Sequence, residues 1–283
     1  MAAEGGRSGR RIGLALGGGG ARGFAHVLIL EALDELGLKP TVIAGCSIGA
    51  IIGAGYAAGM TGGDIRAFST ELFRNRSEVF ARLWRLRPRR VRDLFSQGGL
   101  TIGQFNAERV VENFVPAGLP RDFAGLGLPL KVIATDFYRG EEVVVTRGSL
   151  IRAMAASVAI PVLFRPVVID GIVMIDGGVA NPLPFDHVVD GTDIVIAVDV
   201  IGGPVRDHPK LPSSTEAIFG AATLLMRAIT REKLRTSHPP DILVRPAINA
   251  FRVLDFMKAS VILKAAEPVK DEVKRALDHV FAG

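Results

Sequence analysis

The feature that most constrains the fold is a long stretch without any charged side chain, residues 41–63. Its length matches that of a membrane-spanning helix. However, the stretch begins with the β-branched, strand-like sequence Thr-Val-Ile, and seven glycines interrupt it. A buried strand, a tight turn and a buried helix explain this pattern better, because fully buried parallel strands also form continuous apolar runs. We therefore expect a buried strand–turn–helix unit here and no transmembrane segment.

Predicted strands and helices alternate along the chain. Strands are expected at residues 12–16, 41–46, 130–136, 142–146, 162–169, 172–175, 193–200 and 241–244. Helices are expected at residues 21–36, 48–58, 61–74, 101–114, 149–157, 214–235 and 260–280. This alternation predicts an α/β fold, a three-layer sandwich with a mostly parallel central sheet. Because no repeat or linker divides the chain, we expect a disordered tail at residues 1–10 and a single domain at residues 11–283.

Composition excludes several classes of protein. The chain is 48% hydrophobic and 22% charged, which is typical of globular proteins and rules out wholesale disorder. The single cysteine, Cys46, excludes an internal disulfide and zinc sites built on cysteine clusters. The first eleven residues are polar and lack the apolar core of a signal peptide, so we expect a cytoplasmic protein.

A glycine-rich loop, residues 17–23, lies between the first predicted strand and helix. A phosphate-binding P-loop needs Lys-Ser/Thr after the last glycine, and Phe-Ala follows instead. The spacing Gly18-x-Gly20-x-x-Gly23 fits a dinucleotide fingerprint, but that site also needs a carboxylate at the end of the second strand, which this sequence lacks. The third interpretation is an oxyanion hole, in which backbone N–H groups stabilise charge on a carbonyl oxygen.

The sequence Gly45-Cys-Ser-Ile-Gly49 has the G-x-S-x-G pattern between a predicted strand and helix, where a nucleophile elbow occurs. Ser47 would sit on a sharp turn, and the flanking glycines leave room for that turn. The positive end of the following helix would favour a developing anion beside Ser47. The alternative is an ordinary buried turn with an inert serine.

A nucleophilic serine needs a base. The histidines after Ser47 lie outside any recognisable motif, and they are His187, His208, His238 and His279. His26 lies on the helix after the glycine loop and fits a packed helix residue better than a base. Asp176 is the stronger candidate, because it ends an apolar strand and is followed by two glycines. The alternative for Asp176 is a simple Asp-Gly turn.

Together these motifs resemble the patatin-like phospholipase family. The glycine loop, the Gly45–Gly49 elbow and Asp176-Gly-Gly178 occur in that family's order and spacing. The segment from Ala156 to Pro161, and the Asn-Pro pair after the glycines, also fit. The resemblance covers roughly residues 10–200.

The resemblance implies a patatin-like fold and a serine esterase that cleaves acyl esters of phospholipids, lysophospholipids or related lipids without a metal or cofactor. Ser47 would be the nucleophile and Asp176 the general base of a Ser-Asp dyad. The oxyanion hole would be formed by Gly18, Gly19 and Gly20. The supporting motif positions are Arg22, Gly23, Gly45, Gly49, Gly177 and Gly178. Arg22 would either contact a lipid phosphate or hold the loop.

Two other functions stay open at this stage. One is a membrane-associated regulatory protein that keeps the fold without turnover. The other is a dinucleotide-binding enzyme that uses the glycine loop.

Excess basicity is confined to one segment. The chain has a net charge of +5, yet residues 74–92 alone contain eight arginines and one acid, Glu78. Nucleic acid is the generic partner of such a basic patch. The segment could also be a solvated loop or a contact between subunits, and the latter would make the protein a homo-oligomer. Beside a lipid-hydrolase site we favour a flap or insertion at about residues 74–100 that contacts an anionic membrane surface peripherally. The contacting residues would be Trp84, Arg85, Arg87, Arg89 and Arg90.

Overall fold

The computed structural model describes residues 9–86, 104–203, 211–235 and 238–282. Its strands are Ile12–Leu16 (β1), Pro40–Cys46 (β2), Leu130–Asp136 (β3), Glu142–Val145 (β4), Val167–Ile169 (β5), Ile172–Asp176 (β6), Ile194–Val198 (β7) and Ile242–Val244 (β8). Its helices are His26–Glu35 (α1), Ile48–Ala57 (α2), Gly62–Leu72 (α3), Arg76–Leu86 (α4), Ala107–Phe114 (α5), Leu150–Ser157 (α6), Ser214–Lys233 (α7), Ala259–Ala266 (α8) and Val269–Ala282 (α9).

One sheet organises the molecule, in the order β5-β6-β3-β2-β1-β7-β8, with β4 paired to β3 off this path. Strands β1, β2, β3, β7 and β8 are parallel, whereas β4 and β6 run antiparallel to β3. The expected α/β class with a mostly parallel sheet is confirmed. Because β1 and β2 are parallel neighbours, the glycine loop and the elbow leave the sheet at the same edge.

Side chains of the central strands alternate between the two faces of the sheet. In β1, Leu14 and Leu16 enter the larger core, which includes residues of α1, α2, α6, α8 and α9. Ala15 faces a smaller core with Phe185 and Leu183 from the segment before β7. The short central strands therefore bury both faces, which explains their continuous apolar sequences.

The uncharged residues 41–63 form most of β2, the elbow, α2 and the start of α3. Among the described residues, we find no helix that combines the length and the apolar character needed to cross a bilayer. The strand–turn–helix unit expected for this stretch is confirmed.

Several segments differ from their sequence-based predictions. The helix expected from residue 21 begins only at His26, because Gly20 has a φ of 60° and the chain first makes a 3₁₀ turn over Gly20–Ala25. The C-terminal helix is broken into α8 and α9 at Pro268, since proline lacks the N–H that a helix interior needs. Part of the arginine-rich segment, for which the sequence predicted no regular element, forms helix α4.

The predicted hairpin before Asp176 is present, but its first strand is shorter than expected. Ile169 pairs with Ile172, and the turn residues Asp170 and Gly171 both have positive φ. This geometry suits a two-residue turn of the Asp-Gly type. The second strand of the hairpin, β6, pairs with β3 and places Asp176 opposite Ala134.

Candidate active site

Ser47 lies on the sharp turn between β2 and α2, as the elbow pattern predicts. Its φ of 54° and ψ of −121° are unusual for a residue with a side chain. Glycine is required on both sides: a Cβ on Gly49 would lie 2.1 Å from the Leu16 carbonyl oxygen, and one on Gly45 would lie 2.6 Å from the Gly49 oxygen. The turn is therefore strained and held by close backbone contacts, a feature that clusters at functional sites.

Ser157, at the end of α6, holds the elbow in place. Its hydroxyl oxygen accepts a hydrogen bond from the Ser47 amide at 2.8 Å, and the same hydroxyl donates to the Ile133 carbonyl at 2.5 Å. Sequence reasoning assigned Ser157 no role, although it lies inside the Ala156–Pro161 segment that supported the family resemblance. A serine reveals this role only when its distant partners are known.

The structure brings Ser47 and Asp176 together. The Ser47 hydroxyl donates to Asp176 Oδ2 at 2.8 Å, across 129 residues of sequence. The other oxygen, Oδ1, accepts from the Gly178 N–H at 2.7 Å, and the Thr135 hydroxyl donates to the Asp176 carbonyl at 2.9 Å. Both the side chain and the backbone of Asp176 are thus fixed.

Asp176 is only 6% exposed, and this burial dominates its protonation. Loss of hydration raises the pKa of Asp176 to about 6, although the hydrogen bonds from Gly178 and Ser47 favour the charged form. A carboxylate with this pKa is a better proton acceptor near neutral pH than an ordinary aspartate.

The glycine loop leaves β1 beside the elbow, but its three candidate N–H groups are not equivalent. The Gly18 N–H donates to the Pro182 carbonyl at 2.9 Å, so it is occupied within the protein. For Gly19, the hydrogen bonds of the described residues include no acceptor for its N–H. Gly20 has a positive φ and is the first residue of the 3₁₀ turn. Its N–H therefore has no acceptor within that turn, since the first N–H groups of a helical turn have no carbonyl before them to bond.

Arg22 is buried and holds this loop from behind. Only 5% of Arg22 is exposed, and its guanidinium donates to the carbonyls of Phe251, at 2.7 Å, and Ile201. Of the two roles considered for Arg22, the structural one agrees with this geometry. Gly23 is needed for packing, since a Cβ there would overlap the side chain of Ile48.

The remaining motif glycines lie beside Asp176. A Cβ on Gly177 would lie 2.2 Å from the Ile133 carbonyl oxygen. Any residue larger than glycine at this position would therefore push the Asp-Gly-Gly turn away from β3. Gly178 supplies the N–H to Asp176 and faces the methyl group of Met226.

Helix α7 packs against glycines beside the dyad, a contact that sequence reasoning missed. The Met226 methyl lies against the backbones of Gly18 and Gly178, on the two sides of the Ser47–Asp176 pair. Although α7 is 20 residues long, only Thr223 and Thr230 are buried. No pattern in the helix itself indicated that it would meet the elbow.

His26 is not placed to act on Ser47. It is fully buried, and its Nε2 lies 2.8 Å from the Gly17 carbonyl oxygen. Burial lowers the pKa of His26 to about 4, which favours a neutral, structural imidazole.

His187 belongs to a separate ion-pair network. Its Nε2 lies 3.0 Å from a Glu142 oxygen, and Lys233 donates to Asp186 at 2.7 Å. Among the described residues, Glu142, Asp186 and His187 are the one group whose ligand atoms lie close enough together for a metal. Lys233 and Asn181 already donate hydrogen bonds to these carboxylates, so the group is explained as a hydrogen-bonded network within the protein.

Of the remaining histidines, His208 lies outside the described residues and His279 lies on α9, in the C-terminal part of the chain. The arginine-rich segment is only partly described. On α4, Phe80 is 65% exposed and Trp84 is 64% exposed, and the Arg85 side chain donates to the Ala81 carbonyl. Residues 87–103 lie outside the described residues, and they include Arg87, Arg89 and Arg90.

Comparisons with known proteins identify the family of the chain and agree with its fold. Residues 14–189 match the family model described as patatin-like phospholipase. An NTE family protein of Mycobacterium tuberculosis is 33% identical over 228 residues, which cover 76% of this chain and 59% of that protein. Lysophospholipase NTE1 of Pyricularia oryzae is 32% identical over 282 residues, which cover 90% of this chain but 18% of that protein.

Among solved structures, VipD from Legionella pneumophila matches with a TM-score of 0.50 and 15% identity, over 95% of this chain and 67% of that one. This likeness concerns the fold alone. The matched region is 59% of the mycobacterial protein, 18% of lysophospholipase NTE1 and 67% of VipD, so this chain spans only part of the length of these relatives. The family model nevertheless matches well over half of the chain and includes both Ser47 and Asp176, so the chain belongs to the patatin-like phospholipase family.

Proposed function

We propose that this protein is a serine hydrolase that cleaves acyl ester bonds of phospholipids, lysophospholipids or related lipids through a Ser47–Asp176 dyad. The observation that carries the proposal is the 2.8 Å hydrogen bond from the strained Ser47 to the buried Asp176. Family membership supports the substrate class, as does a relative named as a lysophospholipase.

In the first half of the reaction, the Ser47 oxygen attacks the carbonyl carbon of the ester and Asp176 accepts the Ser47 proton. The tetrahedral intermediate collapses, the bond to the alcohol oxygen breaks, and Asp176 returns the proton to the leaving alcohol. The products of this half are a free alcohol and an acyl ester on Ser47.

Charge on the tetrahedral oxygen needs fixed donors. We assign this role to the N–H groups of Gly19 and Gly20, since the Gly18 N–H already donates to Pro182. Gly18 then contributes by shaping the loop. Such preorganised donors are individually worth about a hundredfold or more in rate.

Water completes the reaction. Asp176, again ionised, accepts a proton from a water molecule that attacks the acyl carbon, and the proton passes to Ser47 as the fatty acid leaves. The raised pKa of Asp176 suits both halves, because the same group must accept a proton and then return it.

Peripheral contact with an anionic membrane surface is part of the proposal. Helix α4 exposes Phe80 and Trp84 next to the basic segment, and aromatic side chains beside arginines suit the interface of an anionic bilayer. Trp84 is the only tryptophan of the chain, so its fluorescence reports this contact directly. We expect a blue shift with anionic vesicles and none with neutral ones; unchanged emission with both would contradict the contact.

Hydrolysis itself is tested by the release of free fatty acid from a lysophospholipid. We expect the wild-type protein to release it and Ser47→Ala to lose at least about a thousandfold in kcat. Ser69→Ala is the matched control, because Ser69 is also a buried serine but lies on α3. Equal rates for wild type and Ser47→Ala would contradict the proposal.

A further inference from the structure

One side of helix α7 is apolar and exposed next to the Ser47–Asp176 dyad. We call this side the apolar stripe, and it consists of Ile218, Ala222, Leu225 and Met226. Ile218 is 54% exposed and Leu225 is 66% exposed, while Ala222 is exposed and Met226 is partly buried. Neighbouring apolar side chains that stay exposed in this way are typical of a binding surface.

Met226 joins the apolar stripe to the dyad. A Cβ built on Gly178 would lie 2.8 Å from the Met226 methyl and 3.0 Å from Asp176 Oδ1. A Cβ built on Gly18 would lie 3.5 Å from the Met226 methyl and 3.5 Å from Ser47 Cβ. Because the space of a single methyl group separates Met226 from each member of the dyad, the acyl group of an ester bound at Ser47 begins beside the Met226 side chain.

From Met226 the apolar stripe runs towards the N-terminus of α7. A helix turns about 100° per residue, so Ala222 and Ile218 lie about 40° and 80° from Met226, on the same side of the helix. With a rise of about 1.5 Å per residue, Ala222 is about 6 Å and Ile218 about 12 Å further along. Since a single carbon–carbon bond is about 1.5 Å long, an extended chain of about nine or ten carbon atoms covers the distance from Met226 to Ile218.

The two sides of Met226 differ in charge. Arg227 and Arg231, both exposed, lie about 100° and 140° from Met226 on the other side of α7. A hydrocarbon chain is stabilised by contact with apolar groups, whereas on the arginine side it would displace water from guanidinium groups without replacing their hydrogen bonds. The apolar stripe is therefore the side of α7 that suits the hydrocarbon part of an ester.

We propose that the apolar stripe binds the acyl chain of the ester, with Met226 next to the first carbon atoms and Ala222 and Ile218 next to successively later ones. The stripe thereby sets the acyl-chain length that the protein prefers. This inference rests on the proposed function and names the residues that select among its substrates. Each methylene group that the stripe removes from water improves binding by up to about fourfold.

The test follows kcat/KM for p-nitrophenyl esters with acyl chains of four, eight and twelve carbon atoms, in a fixed concentration of neutral detergent. Ala222→Gln places a polar amide about 6 Å along the chain from Met226. We expect this variant to lower kcat/KM by about fivefold or more for the two longer esters and to leave the shortest ester unchanged. Ile218→Gln, about 6 Å further from the dyad, should affect the longest ester alone.

Ala228→Gln is the matched control. It makes the same change at an exposed position of α7 that lies about 160° from Met226. Glutamine is a good helix former, so α7 should remain helical in each variant. The control should keep the wild-type values for all three esters. Equal effects of Ala222→Gln on the three esters, or no effect on any of them, would overturn the inference.

Other occupants of the apolar stripe predict different results. If the stripe contacts a membrane, Ala222→Gln and Ile218→Gln should weaken sedimentation with phosphatidylcholine vesicles. If it contacts a second copy of the chain, the same variants should lower the molar mass measured by light scattering. Either result, with an unchanged dependence of kcat/KM on chain length, would overturn the inference.

Binding of fatty acids to Ser47→Ala protein separates this inference from the proposed hydrolysis. Titration calorimetry should show tighter binding of dodecanoate than of butyrate, and the added change Ala222→Gln should remove most of that difference. Such binding by a protein whose wild type hydrolyses no ester would contradict the hydrolase function and support the stripe as a site for hydrocarbon chains. Ester hydrolysis together with dodecanoate binding that ignores Ala222 would support the function and overturn the stripe assignment.

Discussion

The amide of Ser47 donates to the hydroxyl oxygen of Ser157 at 2.8 Å, and this bond joins the elbow to the end of α6. Because Ser157 also donates to the Ile133 carbonyl, one hydroxyl connects α6, β3 and the turn that carries Ser47. The position of Ser47 thus depends on a residue 110 positions away that has no chemical role in the reaction.

We predict that Ser157→Ala lowers both activity and stability. Two buried hydrogen bonds are lost, which should reduce the free energy of unfolding by about 1–3 kcal/mol. A small displacement of Ser47 should lower kcat by about tenfold or more. Urea unfolding and ester hydrolysis measure the two effects. A variant with the wild-type kcat would show that the elbow keeps its geometry without Ser157.

The pH dependence of hydrolysis should reflect Asp176. Only the ionised carboxylate can accept the Ser47 proton, and burial raises the pKa of Asp176 to about 6. For a neutral ester, kcat/KM should therefore rise with pH as a single proton is lost near pH 6, and then level off. A profile already flat from pH 4.5 upward would mean that Asp176 titrates as an ordinary aspartate or takes no part.

The same pKa predicts that Asp176→Asn stabilises the protein at high pH. The folded-state pKa of about 6 exceeds the unfolded value of about 4, so the wild type loses stability as the pH rises from about 4 to 6. The variant carries no such buried charge. Its free energy of unfolding should exceed that of the wild type by up to about 3 kcal/mol at pH 8. The difference should vanish at pH 3.5, and a difference independent of pH would contradict the burial argument.

His26→Gln tests whether a histidine serves as the base. Gln supplies an amide N–H that can replace the contact of His26 with the Gly17 carbonyl, so the fold should be retained. We expect kcat to stay within about tenfold of the wild-type value. Removal of a general base costs about a hundredfold or more, so a loss of that size in a folded variant would favour a histidine-based mechanism.

Local patterns predicted much of the fold and the position of the elbow. Continuous apolar strands and the Asp170-Gly171 turn depend on nearby residues, and the structure contains them. The 3₁₀ turn that precedes α1 was not predicted, because its second residue, Ala21, donates its backbone N–H to the carbonyl of Val253, which lies far along the chain. The approach of Asp176 to Ser47 was implied by the family resemblance. No local sequence pattern predicts the antiparallel pairing of β6 with β3 that brings Asp176 close to Ser47.

Other features of the candidate site depend on distant packing. Gly18 looked equivalent to Gly19 and Gly20 in sequence, but its N–H is taken by Pro182, which lies in a different part of the chain. Met226 lies on a helix whose sequence gives no sign of its neighbours. Ser157, likewise, becomes recognisable as a positioning residue only once its partners at Ser47 and Ile133 are known.

The most direct test of the Ser47–Asp176 dyad is the rate at which a fluorophosphonate labels Ser47, with the modified residue mapped by mass spectrometry. The probe reacts with an activated serine and needs no assumption about the lipid. We predict labelling of Ser47 in the wild type and a rate lower by about a hundredfold or more in folded Asp176→Asn protein. Labelling of Asp176→Asn at the wild-type rate, or of another residue in place of Ser47, would contradict the account.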